Sequence, residues 1–85
     1  MAKRIGLVFK EPFLLAELQA LKKQLETSSG AIIPFTVKVP GQGERFKEAE
    51  IEVPAIGREK AMKALKIIEQ EEKLSFYFPD EKRPG

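Results

Sequence analysis

Two runs of alternating apolar residues joined by a glycine-containing turn constrain this chain more than anything else in it. Ile33, Phe35, Val37 and Val39 alternate with Pro34, Thr36 and Lys38. Ala49, Ile51 and Val53 alternate with Glu48, Glu50 and Glu52, and the link between the runs is Pro40-Gly41-Gln42-Gly43-Glu44. A period of two on both sides of a glycine turn predicts a long β-hairpin, with one face of each strand on a core and the other in water. Pro34 cannot donate a ladder hydrogen bond, which assigns the first of these strands, spanning residues 31–39, to a sheet edge.

The segments on either side have the same composition in miniature. Ile5, Leu7 and Phe9 alternate with Arg4, Gly6 and Val8, the pattern of a strand over residues 3–9. Pro12 then suits the first position of a helix, where a missing N–H costs nothing, and Glu11 beside it suits the positive end of the helix dipole. Leu14, Leu18, Leu21 and Leu25 recur at helical spacing, bordered by Phe13 and Leu15, and Gly30 after Thr27-Ser28-Ser29 is placed to end the helix in a left-handed conformation. After the hairpin, Pro54 and Gly57 punctuate the chain. Ala61, Ala64, Leu65 and Ile68 then predict a second helix from Arg58 to about Glu72. Leu74, Phe76 and Phe78 alternate as a last strand, and Pro79 to Gly85 reads as a charged tail without core pattern.

The resulting order, strand-helix-strand-strand-helix-strand, is that of the split βαβ arrangement. It predicts an α+β, two-layer ferredoxin-like sandwich (βαββαβ): an antiparallel four-stranded sheet in order 4-1-3-2 with both helices on one face. Eighty-five residues suffice for one core and not for two, so residues 1–79 are expected to form a single domain followed by the tail at 80–85. This architecture hosts many functions and implies none by itself.

Composition removes several chemistries. The chain has no Cys and no His, so disulfides, thiolate nucleophiles and nearly all transition-metal sites are excluded, together with the commonest general base. No nucleophile–base constellation remains, no cofactor is called for, and the expectation is a non-enzymatic protein. No apolar run reaches the roughly 18 residues of a membrane span, and the Met-Ala-Lys-Arg start lacks an apolar signal core; the location expected is cytoplasmic. Charged residues make up 33% of the chain, and with Cys and Trp absent this is a thermophile-like bias. A net charge of +2 left by 15 bases and 13 acids predicts no partner, so distribution decides more than the total.

Four binding readings follow from that distribution. The uncovered sheet face is expected to expose Val8, Ile32 and Phe46, which makes a binding or assembly module, self-associating as a homodimer, the leading expectation. Lys38, Gly41, Gly43, Arg45 and Lys47 gather positive charge and free backbone N–H groups at the hairpin tip, where nucleic-acid or other phosphates would be contacted. Glu48, Glu50 and Glu52 project from one strand face and offer oxygen ligands to calcium or another divalent cation, although a spacing of roughly 6.6 Å between alternate residues is wide for one ion. The fourth, RNA stacking on the sheet face, has only Phe46 and Tyr77 as aromatics beside a row of carboxylates. The same alternation sets Arg4 and Lys38 across from the glutamates as cross-strand pairs, which explains the row without a ligand. Along the second helix Lys60, Lys63 and Lys66 share the solvent side with Glu59 and Gln70, a mixed face, and Gly57 before it serves as an N-cap or a weak anion site.

Overall fold

The computed structural model describes residues 2–40 and 43–81. Its elements run β1 (Lys3–Leu14), α1 (Leu15–Ser29), β2 (Phe35–Pro40), β3 (Arg45–Val53), α2 (Arg58–Gln70) and β4 (Leu74–Tyr77), followed by a 3-10 turn over Pro79–Glu81. The four strands make one antiparallel sheet in the order β2-β3-β1-β4, so the ferredoxin-like sandwich expected from the hydrophobic periods is the fold. β1 pairs with β3 through Ile5–Ile51 and Leu7–Ala49, and with β4 through Leu7–Phe76.

The core lies between this sheet and the two helices. Ile5, Leu7 and Phe9 of β1, Ala49, Ile51 and Val53 of β3 and Leu74 of β4 meet Leu18, Leu21 and Leu25 of α1 and Ala61, Leu65 and Ile68 of α2, all buried. Each fully buried Val, Leu or Ile side chain among them contributes about 1.5–3 kcal/mol by leaving water. The helix stripe begins one turn later than its spacing suggests. Leu14 precedes the helix and is 41% exposed.

That difference has a cause in β1. The strand does not end at Phe9 but continues to Leu14, pairing Phe13 with Phe46 and Leu14 with Arg45 after a register shift that inserts Phe9 to Pro12 opposite Lys47 alone. Pro12 lies inside that irregularity, where a missing N–H breaks no ladder bond. The helix is started instead by Glu17, whose carboxylate accepts the Leu14 N–H at 2.7 Å. At its other end Gly30 takes φ 72° and donates to the Glu26 carbonyl at 2.8 Å. The Glu26 carboxylate accepts from Lys22 Nζ at 2.7 Å and from the Ile33 N–H at 2.9 Å, which ties the helix end to the chain leading into β2. Its carboxyl is accordingly held below the usual range, by Lys22 first and the Ile33 amide second.

β2 starts at Phe35, later than its alternation implies, with Pro34 immediately outside it. The strand is nonetheless at the sheet edge, and the Pro34 carbonyl accepts from Glu52 N–H at 3.2 Å. α2 ends at Gln70, two residues short of Glu72. Glu71 follows it as the cap and Glu72 has φ 61°, consistent with acidic side chains opposing the dipole at a helix C-terminus. Lys73 pairs with Glu71 at 3.6 Å and not with Glu69 one helical turn away. No helix among the described residues is long and apolar enough to cross a membrane.

Candidate functional site

With both helices on one side of the sheet, the other side is uncovered. Arg4, Gly6 and Val8 of β1 face it, opposite Glu52, Glu50 and Glu48 of β3 and, on the other flank, Tyr77 and Ser75 of β4. At its centre the Tyr77 ring lies across Gly6. A Cβ at Gly6 would stand 2.3 Å from Tyr77 Cζ, so the ring occupies the space where any other residue would carry a side chain. Gly6 is buried as a result, while Tyr77 stays 46% exposed and Val8 beside it 39%.

The charges on this face hold one another. Glu50, whose side chain is only 14% exposed, accepts from Arg4 Nη1 at 3.2 Å and from Lys38 Nζ at 3.1 Å. Arg4 also grips Asp80 in the 3-10 turn, with Nε at 3.0 Å from Oδ2 and a second, shorter contact from Nη2 to Oδ1. The Asp80 carboxyl is thereby pulled below the usual range, and Asp80 and Glu50 in turn raise the guanidinium's pKa. Asp80 is therefore not the first residue of a free tail; residues 82–85 lie outside those described. Lys3 sits 4.6 Å over the Phe78 ring, a second fastening between the start of β1 and the chain leaving β4.

The residues singled out by sequence separate on this frame. Of Val8, Ile32 and Phe46, Val8 lies on the open face. Ile32 is 78% exposed but precedes β2 and has no place in the ladder. Phe46 is half-buried and packs against the core cluster, a correction to the exposed position expected for it. Both neighbours of β3 shift register between Glu48 and Phe46, so the alternation that would align Phe46 with the glutamates is interrupted there.

At the hairpin tip, Gly41 lies outside the described residues, and Gly43, Arg45 and Lys47 are exposed. Lys38 is engaged by Glu50 on the sheet face and does not add to the tip. The three glutamates do not act together either. Among the described residues no group of three or more acidic side chains is placed to hold a metal ion, and Glu50 is already neutralised by two cations.

Comparison with known proteins decides nothing further. No family model matches the chain, and no curated protein and no solved structure does so. What remains is the geometry of the surface.

Clefts also lie away from the open face. One, of about 620 Å³, opens between the end of β1, α1 and the end of α2, over a floor of Phe13, Leu21 and Ile68. Another, of about 630 Å³, runs along α2 and is lined by Ala55, Arg58, Glu59, Met62, Lys63 and Lys66. Sequence reasoning did not anticipate the Gly6–Tyr77 contact or the Arg4–Asp80 contact. A glycine inside a strand pattern is the one signal for the first, because it marks a place where another group comes close.

Proposed function

We propose that this chain is a non-catalytic assembly module whose working surface is the uncovered face of its sheet, and that the face is occupied by another copy of the chain. The observation that carries this reading is the Tyr77 ring laid across Gly6 with Val8 exposed next to it, a flat apolar strip in the middle of the face. Flat aromatic surface that is ordered before binding loses little entropy when it is covered. The four bonded charges around the strip, Arg4 and Lys38 with Glu50 and Asp80, balance, so covering them strands no single ion.

The sheet edges are poorer routes to association. β2 is bracketed by Pro34 and Pro40, and β4 is four residues long with Pro79 two residues after it. Proline and short length are devices that keep edges from pairing with other chains.

Sedimentation equilibrium over a concentration series tests the reading. Wild type is expected to self-associate, and Val8→Asp and Tyr77→Ser to remain monomeric while keeping the native circular dichroism. A wild-type protein that stays strictly monomeric at high micromolar concentration overturns it.

A second reading is supported by Arg45 and Lys47, exposed at the hairpin tip and engaged by no carboxylate among the described residues. There they are free to meet the phosphates of a nucleic acid. Such contact is strongest at low salt, so an NMR titration with RNA at low ionic strength that moves neither amide rejects it.

A further inference from the structure

The cleft between the end of β1, α1 and the end of α2 combines two kinds of surface. Its floor is apolar, with Leu21 and Ile68 from the helices and Phe13 from β1. Phe13 is stacked on Phe9, the ring centroids 4.2 Å and the planes 8° apart, so a buried ring fixes the orientation of the one that lines the cleft. Its rim carries Glu11, Glu17, Glu71 and Glu72 against Lys10 and Lys73.

Two of the four carboxylates are occupied within the chain. Glu17 accepts the Leu14 N–H, and Glu71 pairs with Lys73 at 3.6 Å. The side chains of Glu11, Glu72 and Lys10 make no hydrogen bond or ion pair among the described residues, which leaves two carboxylates to one ammonium. The two carboxylates are also neighbours. Phe9 pairs with Leu74, and the Lys10 N–H donates to the Lys73 carbonyl at 3.0 Å, so Glu11 and Glu72 are the next residues along the two adjoining chains. Like charges facing each other across a strand pair are unfavourable, and a cation between them reverses the sign of the interaction.

We propose that this cleft binds a small organic cation, an ammonium group on an apolar chain or ring, its body on Phe13, Leu21 and Ile68 and its charge at Glu11 and Glu72. An aromatic ring attracts a cation through its quadrupole and a carboxylate attracts it through its charge, so floor and rim select the same ligand from different residues. At about 620 Å³ the space lies within the range of small-molecule sites. A bare metal ion fits less well, because no group of three or more acidic side chains among the described residues is placed to hold one. The site lies away from the open sheet face and does not depend on what covers that face.

Phenylbutylammonium, phenylbutanol and phenylbutyrate share one apolar body and differ in the charge of the head group. In NMR titrations of the isotopically labelled protein at low salt, the ammonium should shift the amides of Phe13, Leu21, Ile68 and Lys73 at millimolar concentration. It should bind roughly fivefold more tightly than the alcohol, and the carboxylate should bind more weakly than either. Glu11→Gln/Glu72→Gly should lose the preference for the ammonium while binding the alcohol as before. Glu72 has φ 61°, a conformation that suits glycine, so this variant should melt no lower than wild type, which separates lost binding from a lost fold. Cleft amides that the ammonium leaves unmoved overturn the proposal, and so do equal affinities for the three compounds or a double variant that keeps the preference.

Discussion

The ring of Tyr77 on β4 takes the place of a side chain at Gly6 on β1, its Cζ only 2.3 Å from where a Cβ would be. Cross-strand cover of a glycine by an aromatic compensates for what glycine lacks in a strand, namely side-chain packing. Gly6→Ala should therefore displace the ring and destabilise the protein. In a Tyr77→Ser background the same substitution should stabilise it, by about 0.5–1 kcal/mol from the lower backbone entropy of alanine. A double-mutant cycle by urea denaturation checks the sign reversal, and additive effects would show that the two residues are not coupled.

Arg4 holds the chain after β4 through Asp80. Asp80 is expected to titrate below its ordinary value of 3.8, and Arg4→Gln should return it to that range. Carboxyl carbon shifts followed by NMR through the acid range measure this directly. An Asp80 value already ordinary in the wild type would mean that solvent screens the pair.

Glu26 supplies an acid-sensitive fastening of a different kind, between a helix end and the main chain of Ile33. Its pKa is lowered in the folded state, so the folded protein binds this proton more weakly than the unfolded one. The stabilisation is fully present above the ordinary value of 4.5 and is lost as pH falls through the lower folded-state value. Glu26→Gln should lower the melting temperature at neutral pH and flatten its decline in acid. Parallel melting curves for the two proteins at all pH values would contradict this.

Two glycines with positive φ separate backbone strain from steric contact. Gly30, at 72°, has nothing within 4 Å of a Cβ; Gly57, at 86°, has the Ser29 carbonyl oxygen at 2.5 Å. Gly30→Ala should cost about 1–2 kcal/mol, the price of a left-handed alanine. Gly57→Ala should cost more, because α2 must also move away from the end of α1. Equal losses in denaturant titrations would mean that the helix ends are not held together.

Much of this molecule is legible in its residue periods. The strand and helix order, the edge position of β2 and the buried faces of β1 and β3 follow from alternation and helical spacing, because one face of each element has to leave water. The boundaries at Leu14, Phe35 and Gln70 are less so, since pairing beyond a bulge, a proline and a row of acids each moved an end by local chemistry. The position of Phe46 required knowing that two ladders shift at the same point. The partnerships of Gly6 with Tyr77 and of Arg4 with Asp80 join positions more than 70 residues apart, and only the register of β1 against β4 brings them together.

β1 lies in the middle of the sheet, between β3 and β4, yet it is the first strand in the chain. During synthesis, Ile5, Leu7 and Phe9 leave the ribosome long before either neighbour exists. The first ladder cannot form until about fifty residues have emerged, and the second waits for the last strand. Completion of the sheet is thus postponed until β4 has emerged, with loop closure over long separations as its slow step. In the interval an apolar nascent segment has to be kept from other chains, so the production of this domain in a cell depends on how that waiting strand is protected.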